Sequence, residues 1–181
     1  MARVWREPYT QGLDGLCGVY SVINATQLLF PGALTVARAE DMFDVLVKSL
    51  GDGLLAAVTD GLGIPEMRRL IDAADIFARK HLNGALTRRE PYRRTKFARP
   101  AAFVAALQRD VEGASVAVIG LGAPYEHWTV VEKITPKTLK LADSLEMKTV
   151  ARARLTVGTA RGAQVRIDTG HTFILSREAL P

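Results

Sequence analysis

Just past residue 111 the spacing of apolar residues changes, and that change restricts the available folds more than any other feature of the chain. Up to Val111 apolar side chains recur three and four positions apart, the repeat of helices that bury one face. Beyond Gly113 they alternate or gather in short β-branched runs, the repeat of strands. Helices first and strands afterwards describe an α+β domain whose N-terminal helices pack against a C-terminal antiparallel sheet. The chain has 181 residues, enough for one domain with one sizeable core, expected over 1–181.

The helical half divides at its glycines and prolines. Residues 1–15 read as an extended arm and loop, and Leu16, Val19, Val22, Ile23, Thr26 and Leu29 mark a first helix that stops at Pro31-Gly32. A second helix is expected from Thr35 or Val36 to Leu50, a third from Pro65 to about Lys80, and a fourth from Ala101 to Val111 behind Pro100. The intervening GDGLLAAVTDGLG has no clear period. Its Gly51-x-Gly53 neither follows a strand nor has the third glycine of a dinucleotide-binding loop. In the second half, strands are expected at Ser115–Gly120, His127–Ile134 and Thr138–Asp143. Two more are expected at Gln164–Ile167 and His171–Leu175, joined by an Asp168-Thr169-Gly170 turn.

The stretch QGLDGLCGVYSVINATQLLF, residues 11–30, holds the only cysteine, Cys17, just after a glycine-punctuated turn and at the start of the first helix. Unpaired N–H groups and the positive end of the helix dipole favour an anion there, hence a thiolate. Six residues upstream, Gln11 carries an amide able to donate to an oxygen that becomes negative when a thiolate attacks a carbonyl. A nucleophilic thiol needs an imidazole to move its proton, and the imidazole needs an acceptor to fix its tautomer. His127 opens a strand just after a loop containing Gly122 and Pro124, and Asp143 ends the next strand sixteen residues later. Antiparallel pairing sets the start of one strand beside the end of its neighbour, so these two side chains should meet. His171 also starts a strand, but no acidic residue follows it at hairpin distance, and His81 closes a helix. Each residue has a plainer use: a buried thiol, a hydrogen-bonding ring, a turn-ending carboxylate, a solvated amide. The four together favour chemistry. One cysteine allows neither an intramolecular disulfide nor a cysteine zinc site, and the three histidines lack metal-ligand spacing.

The order Gln11, Cys17, His127, Asp143 resembles the papain-like cysteine peptidase superfamily, as do the six-residue gap between the first two and the opening of a helix at Cys17-Gly18. The segment HWTVVEKITPKTLKLADS is similar to that of the bacteriocin double-glycine leader peptidases. LCGVYSVIN and the run Glu126-His127-Trp128 resemble the Josephin family of ubiquitin peptidases. The likeness covers residues 11–30 and 115–144, and the remainder by element order alone. It implies a papain-like fold and a cysteine peptidase that needs no cofactor and no metal. Cys17 would be the nucleophile, His127 the base and acid, Asp143 its orienting partner and Gln11 the oxyanion donor. Gly18, Tyr125 and Trp128 would be the substrate contacts, although Trp128 reads more readily as core. The substrate would be a peptide or protein, such as a leader peptide or a ubiquitin-like protein. The same residues would serve an acyltransferase, deamidase or transglutaminase-like enzyme if an amine rather than water resolved the acyl-enzyme. A non-catalytic binding module with a basic surface is the third reading.

At 48% hydrophobic and 24% charged residues the composition is that of a globular protein, and no apolar run approaches the ~20 residues of a membrane span. The N-terminal MARVWREPYT lacks the apolar core of a Sec signal, so the expected location is the cytoplasm, with export by a route that leaves no such signature still open. Abundant alanine and arginine beside few lysines and asparagines suggest a bacterial source. The net charge of +5 is local. The run RREPYRRTKFAR, Arg88 to Arg99, carries six basic residues and one acidic, which equals the net charge of the whole chain. Its simplest reading is a solvated loop. The interleaved Tyr92 and Phe97 also allow an acidic partner, with nucleic acid the less favoured alternative.

Overall fold

The computed structural model describes residues 8–10 and 14–180. In chain order the elements are α1 (Cys17–Leu29), α2 (Val36–Ser49), a 3₁₀ turn at Gly51–Gly53, α3 (Leu54–Asp60), α4 (Ile64–His81), β1 (Ala85–Arg89) and α5 (Pro100–Asp110). After α5 come β2 (Ser115–Leu121), β3 (His127–Ile134), β4 (Thr138–Ala142), β5 (Thr149–Ala151), a 3₁₀ turn at Arg152–Arg154, β6 (Leu155–Thr156) and β7 (Val165–Glu178). The sheet order is β1-β7-β2-β3-β4-β5, every neighbouring pair antiparallel, with β6 joined in parallel to the start of β7. This is a mixed α+β architecture with N-terminal helices and a C-terminal antiparallel sheet.

Alternation along the central strands feeds two apolar layers. Val116, Val118, Val130, Phe173 and Leu175 face the layer built with α1, α2 and α4. Ala117, Ile119, Val131 and Ile174 face the other, closed by Phe103, Val104 and Leu107 of α5. Strands buried on both faces read as unbroken apolar runs, which is the reason SVAVIG does not alternate. The helix starts follow local chemistry. Thr35 caps α2 by accepting from the Arg38 N–H, and Pro65 and Pro100 stand in the first turns of α4 and α5, where their missing N–H costs nothing. Among the described residues no helix is long and apolar enough to cross a membrane, and no three His, Cys, Asp or Glu side chains cluster as metal ligands.

The structure corrects the sequence reading at three places. The segment between the second and third expected helices forms the 3₁₀ turn and α3, a helix with only Ala57 buried and so too little apolar period to reveal it. Arg88 and Arg89 are not loop residues. They end strand β1, their charges met by Asp72 at 2.9 Å and Asp110 at 3.1 Å, carboxylates remote in sequence. The expected hairpin at 164–175 is the single strand β7. Its register against β2 jumps from Ile119 opposite Thr172 to Gly120 opposite Asp168, so Thr169, Gly170 and His171 bulge out of a continuous strand in place of the expected turn.

Candidate active site

The start of α1 is anchored before its first turn. The Asp14 carboxylate accepts the Leu16 N–H at 3.0 Å, and the Gly15 N–H donates to the Val58 carbonyl at 3.0 Å. Gly15 approaches so closely that a Cβ there would stand 2.5 Å from the Val58 oxygen and 2.9 Å from that of Ala57. Leu16 offers no side-chain cap to the first turn of α1, whose N-terminal end lies at Cys17. Gly18, expected as a substrate contact, faces Met67 and Leu62, where a Cβ would come within 2.5 and 2.7 Å of side-chain atoms.

Strand β3 is fastened to the same helix. Ser21 of α1 donates to the Trp128 carbonyl at 2.9 Å, the Trp128 indole N–H donates to the Leu62 carbonyl at 2.7 Å, and the Trp128 backbone N–H points at Cys17 Sγ, 3.4 Å away. These bonds fix the first residues of β3 against the first turn of α1. His127 Nε2 lies 2.8 Å from Asp143 Oδ2, and the Cys17 thiol is close enough to the ring to help hold it charged, with Nδ1 the nitrogen not taken by Asp143. The β3–β4 register, with Val130 opposite Ala142, carries Asp143 to the start of its neighbour strand, and its second oxygen accepts the Leu145 and Met147 N–H groups at 2.8 and 3.2 Å.

The three side chains are nearly inaccessible: Cys17 is 7% exposed, His127 4% and Asp143 2%. Burial by itself opposes a charged imidazole, but the hydrogen bonds to Asp143 and Cys17 outweigh it and push the His127 pKa up to about 9. Burial would likewise raise the Asp143 carboxyl. Its bond with His127, the nearby Thr129 hydroxyl and the Met147 N–H hold it below the usual carboxylate range, although the Thr129 hydroxyl closes no hydrogen bond of normal geometry. Near neutral pH the pair is therefore imidazolium and carboxylate.

Cys17 and His127 open onto a cleft of about 390 Å³ between the α3–α4 connection, the end of β2, the start of β3 and the bulge of β7. Tyr125 lines it at 37% exposure. Trp128 lines it too, while 5% exposed and part of the core. The turn that delivers His127 closes with the Tyr125 and Glu126 N–H groups on the Gly122 carbonyl, and Glu126 takes a left-handed φ of 44°. Gln11 lies outside the described residues. Three cleft residues escape the sequence reading as cleft formers: Asp60 and Asp168, and His171, whose ring stacks on Trp128 at 5.6 Å and 16°. The available signal is Gly120 inside an apolar run. Its missing Cβ would stand 2.8 Å from that of His171, and such a glycine marks a bulge or close approach.

Comparison with protein-family models, with curated proteins and with solved structures finds no match. Fold and site define the class by themselves: an α+β protein with a thiol beside an imidazole that is hydrogen-bonded to a buried carboxylate, at the wall of a cleft.

Proposed function

We propose that the chain is a cysteine hydrolase of papain-like fold, a peptidase acting on peptide or isopeptide bonds, with Cys17 as nucleophile, His127 as acid and base and Asp143 as its orienting partner. One observation carries this reading. The buried Asp143 carboxylate holds His127 by Nε2 at 2.8 Å while the other side of the ring meets the Cys17 thiol, which stands at a helix start on an open cleft. A buried structural cysteine has no use for an imidazolium partner. Such a partner, held charged by a carboxylate, stabilises a thiolate.

In the reaction the proton rests on His127 Nδ1 and the Cys17 sulfur attacks the substrate carbonyl carbon as the thiolate. The oxyanion meets the Cys17 backbone N–H and, as the resemblance implies, the Gln11 amide. Collapse of the tetrahedral intermediate breaks the C–N bond as imidazolium protonates the leaving amine, leaving a thioester. Water, deprotonated by the neutral imidazole, then attacks the thioester, releasing the acid and restoring the thiolate beside the imidazolium. A peptidyl vinyl sulfone tests the reading. It should add to Cys17 of the parent, located by peptide mapping, and His127→Ala should slow the addition at least a hundredfold. Equal rates in the two proteins would mean that thiol and imidazole are not coupled.

A further inference from the structure

The basic run is strand only at Arg88 and Arg89, and its exposed remainder is held in place by a buried anchor. Beyond β1 the chain turns at 91–94 and is pinned from beneath: Tyr92 is 5% exposed, its hydroxyl donates to the Asp110 carboxylate, and the Tyr92, Phe97 and Phe103 rings meet edge-on at 5.3–5.5 Å. The Thr95 N–H closes the turn on the Tyr92 carbonyl at 3.0 Å. Six cations enter this segment and the structure sorts them. Arg88 and Arg89 are neutralised by Asp72 and Asp110, whereas Arg93, Arg94, Lys96 and Arg99 are exposed on the pinned turn and on the stretch that leads from it into α5. Among the described residues, none of these four has a carboxylate within ion-pair distance. Glu90, which faces the turn, is already held by Arg68 at 2.6 Å.

The turn also borders the cleft. β1 ends with Arg89 opposite Ile174 of β7, and the chain running on from it meets the bulge, where a Cβ on Gly170 would lie 3.6 Å from the Arg93 carbonyl. The next residue, His171, lines the cleft. From the β1 position to β3 is three strand spacings of about 4.8 Å, roughly 14 Å, which about four residues of extended chain would span.

Around the cleft the charge turns net negative: Asp60, Glu126 and Asp168 line it, the last two sharing the single cation Arg166 at 3.8 and 3.0 Å. A long uniform polyanion such as nucleic acid would run from favourable cations into these carboxylates. A peptide with a short acidic stretch would not. We propose that the turn carrying Arg93, Arg94, Lys96 and Arg99 docks a short acidic segment of the protein substrate, about four residues from the bond presented to Cys17. The substrate class rests on the peptidase reading. The docking of an acidic peptide does not, because it uses no atom of the thiol centre.

Two measurements on the full chain separate these parts. Fluorescein-labelled octaglutamate should bind in 50 mM salt, weaken strongly in 500 mM, and bind equally well to Cys17→Ala. Arg93→Glu, Arg94→Glu and Lys96→Glu together should weaken it at least tenfold, and the milder pair Arg94→Gln and Lys96→Gln should fall between, with both variants melting like the parent. Absence of binding by the parent, an unchanged affinity in the charge-reversed protein, or tighter binding of a single-stranded oligonucleotide of equal charge would each overturn the proposal. In a proteome-derived peptide library the parent should cut bonds with Asp or Glu enriched about four residues to one side. The charge-reversed variant should keep cutting while losing that preference. No cutting by the parent, with octaglutamate still bound, refutes the peptidase reading and leaves the docking site standing; cutting with no acidic preference refutes the assigned role of the turn in substrate choice.

Discussion

Asp143→Asn is the change whose effect the geometry fixes most tightly, because one carboxylate oxygen is already committed. Oδ1 accepts the Leu145 and Met147 N–H groups at 2.8 and 3.2 Å, so in the variant those donors retain the amide oxygen and the NH₂ is left facing His127. An NH₂ donates, so Nε2 must become the acceptor and the single proton of the neutral ring moves to Nδ1, the nitrogen beside the thiol. That nitrogen then cannot take the thiol proton. The charge partner is lost as well. The hydrogen bond to Asp143 is the largest of the effects opposing burial, so the His127 pKa should fall from about 9 to below the ordinary ~6.5 of an exposed ring. A drop of at least about 2.5 units is upwards of about 3 kcal/mol of lost imidazolium stabilisation at 1.36 kcal/mol per unit, and the inverted tautomer costs about 10⁴ in kcat in a serine–histidine–aspartate triad. The assay is the rate of vinyl sulfone addition at pH 7, read beside the ring titration of His127 by NMR. Asp143→Ala, whose vacated space can admit water as an acceptor, should be no slower than Asp143→Asn. An Asn variant that reacts within tenfold of the parent, or whose His127 still titrates near 9, would refute the reasoning.

Stability should follow the same pair with opposite signs at the two ends of the pH range. The folded His127 pKa is raised, so its contribution is complete below about 6.5 and disappears as pH climbs through about 9; the Tm difference between the parent and His127→Gln should shrink over that window. The Asp143 carboxyl is lowered, so its contribution is complete above the ordinary carboxylate range and is lost as pH falls through its folded value, which should appear as an acid-side narrowing of the gap to Asp143→Ala. Gly15→Ala sets a Cβ against two backbone carbonyls that cannot swing away, and should cost more than Gly18→Ala, which meets the movable ends of Met67 and Leu62; the overpacking scale of about 1–3 kcal/mol applies, and urea melts order the two. Trp128→Phe leaves the Leu62 carbonyl without its indole donor and should destabilise by about 1–3 kcal/mol in the same melts.

The elements legible in the sequence are those whose own residues specify them. α1, α2, α4 and α5 lie within a residue or two of their expected ends because each carries a complete apolar stripe and its own start or stop residue. β2 and β3 are legible through β-branched runs and β4 through its alternation, and hairpin pairing brings Asp143 near His127, but the face Asp143 takes is set by a register shift between Val131 and Lys133 that the sequence does not signal. The elements that escape depend on partners far along the chain. β1 ends in two arginines that look like loop until Asp72 and Asp110 arrive, and β5 and β6 are three- and two-residue strands that exist only by pairing with longer neighbours.

The Asp168-Thr169-Gly170 segment shows why turn chemistry by itself can be ambiguous. Asp, Thr and Gly favour reversal of the chain, but they equally favour three residues leaving a ladder that then resumes. The choice between the two lies on another strand, at Gly120, where a side chain would collide with His171 and glycine lets the bulge fold inwards. A reversal would have separated residues 164–167 from 171–175 as two short strands. The bulge keeps β7 continuous past β1, β2 and β6, and in the same movement brings His171 over Trp128 and Gly170 against Arg93. The cleft wall and its basic border are therefore one structural device, set by a glycine some fifty residues away in the sequence.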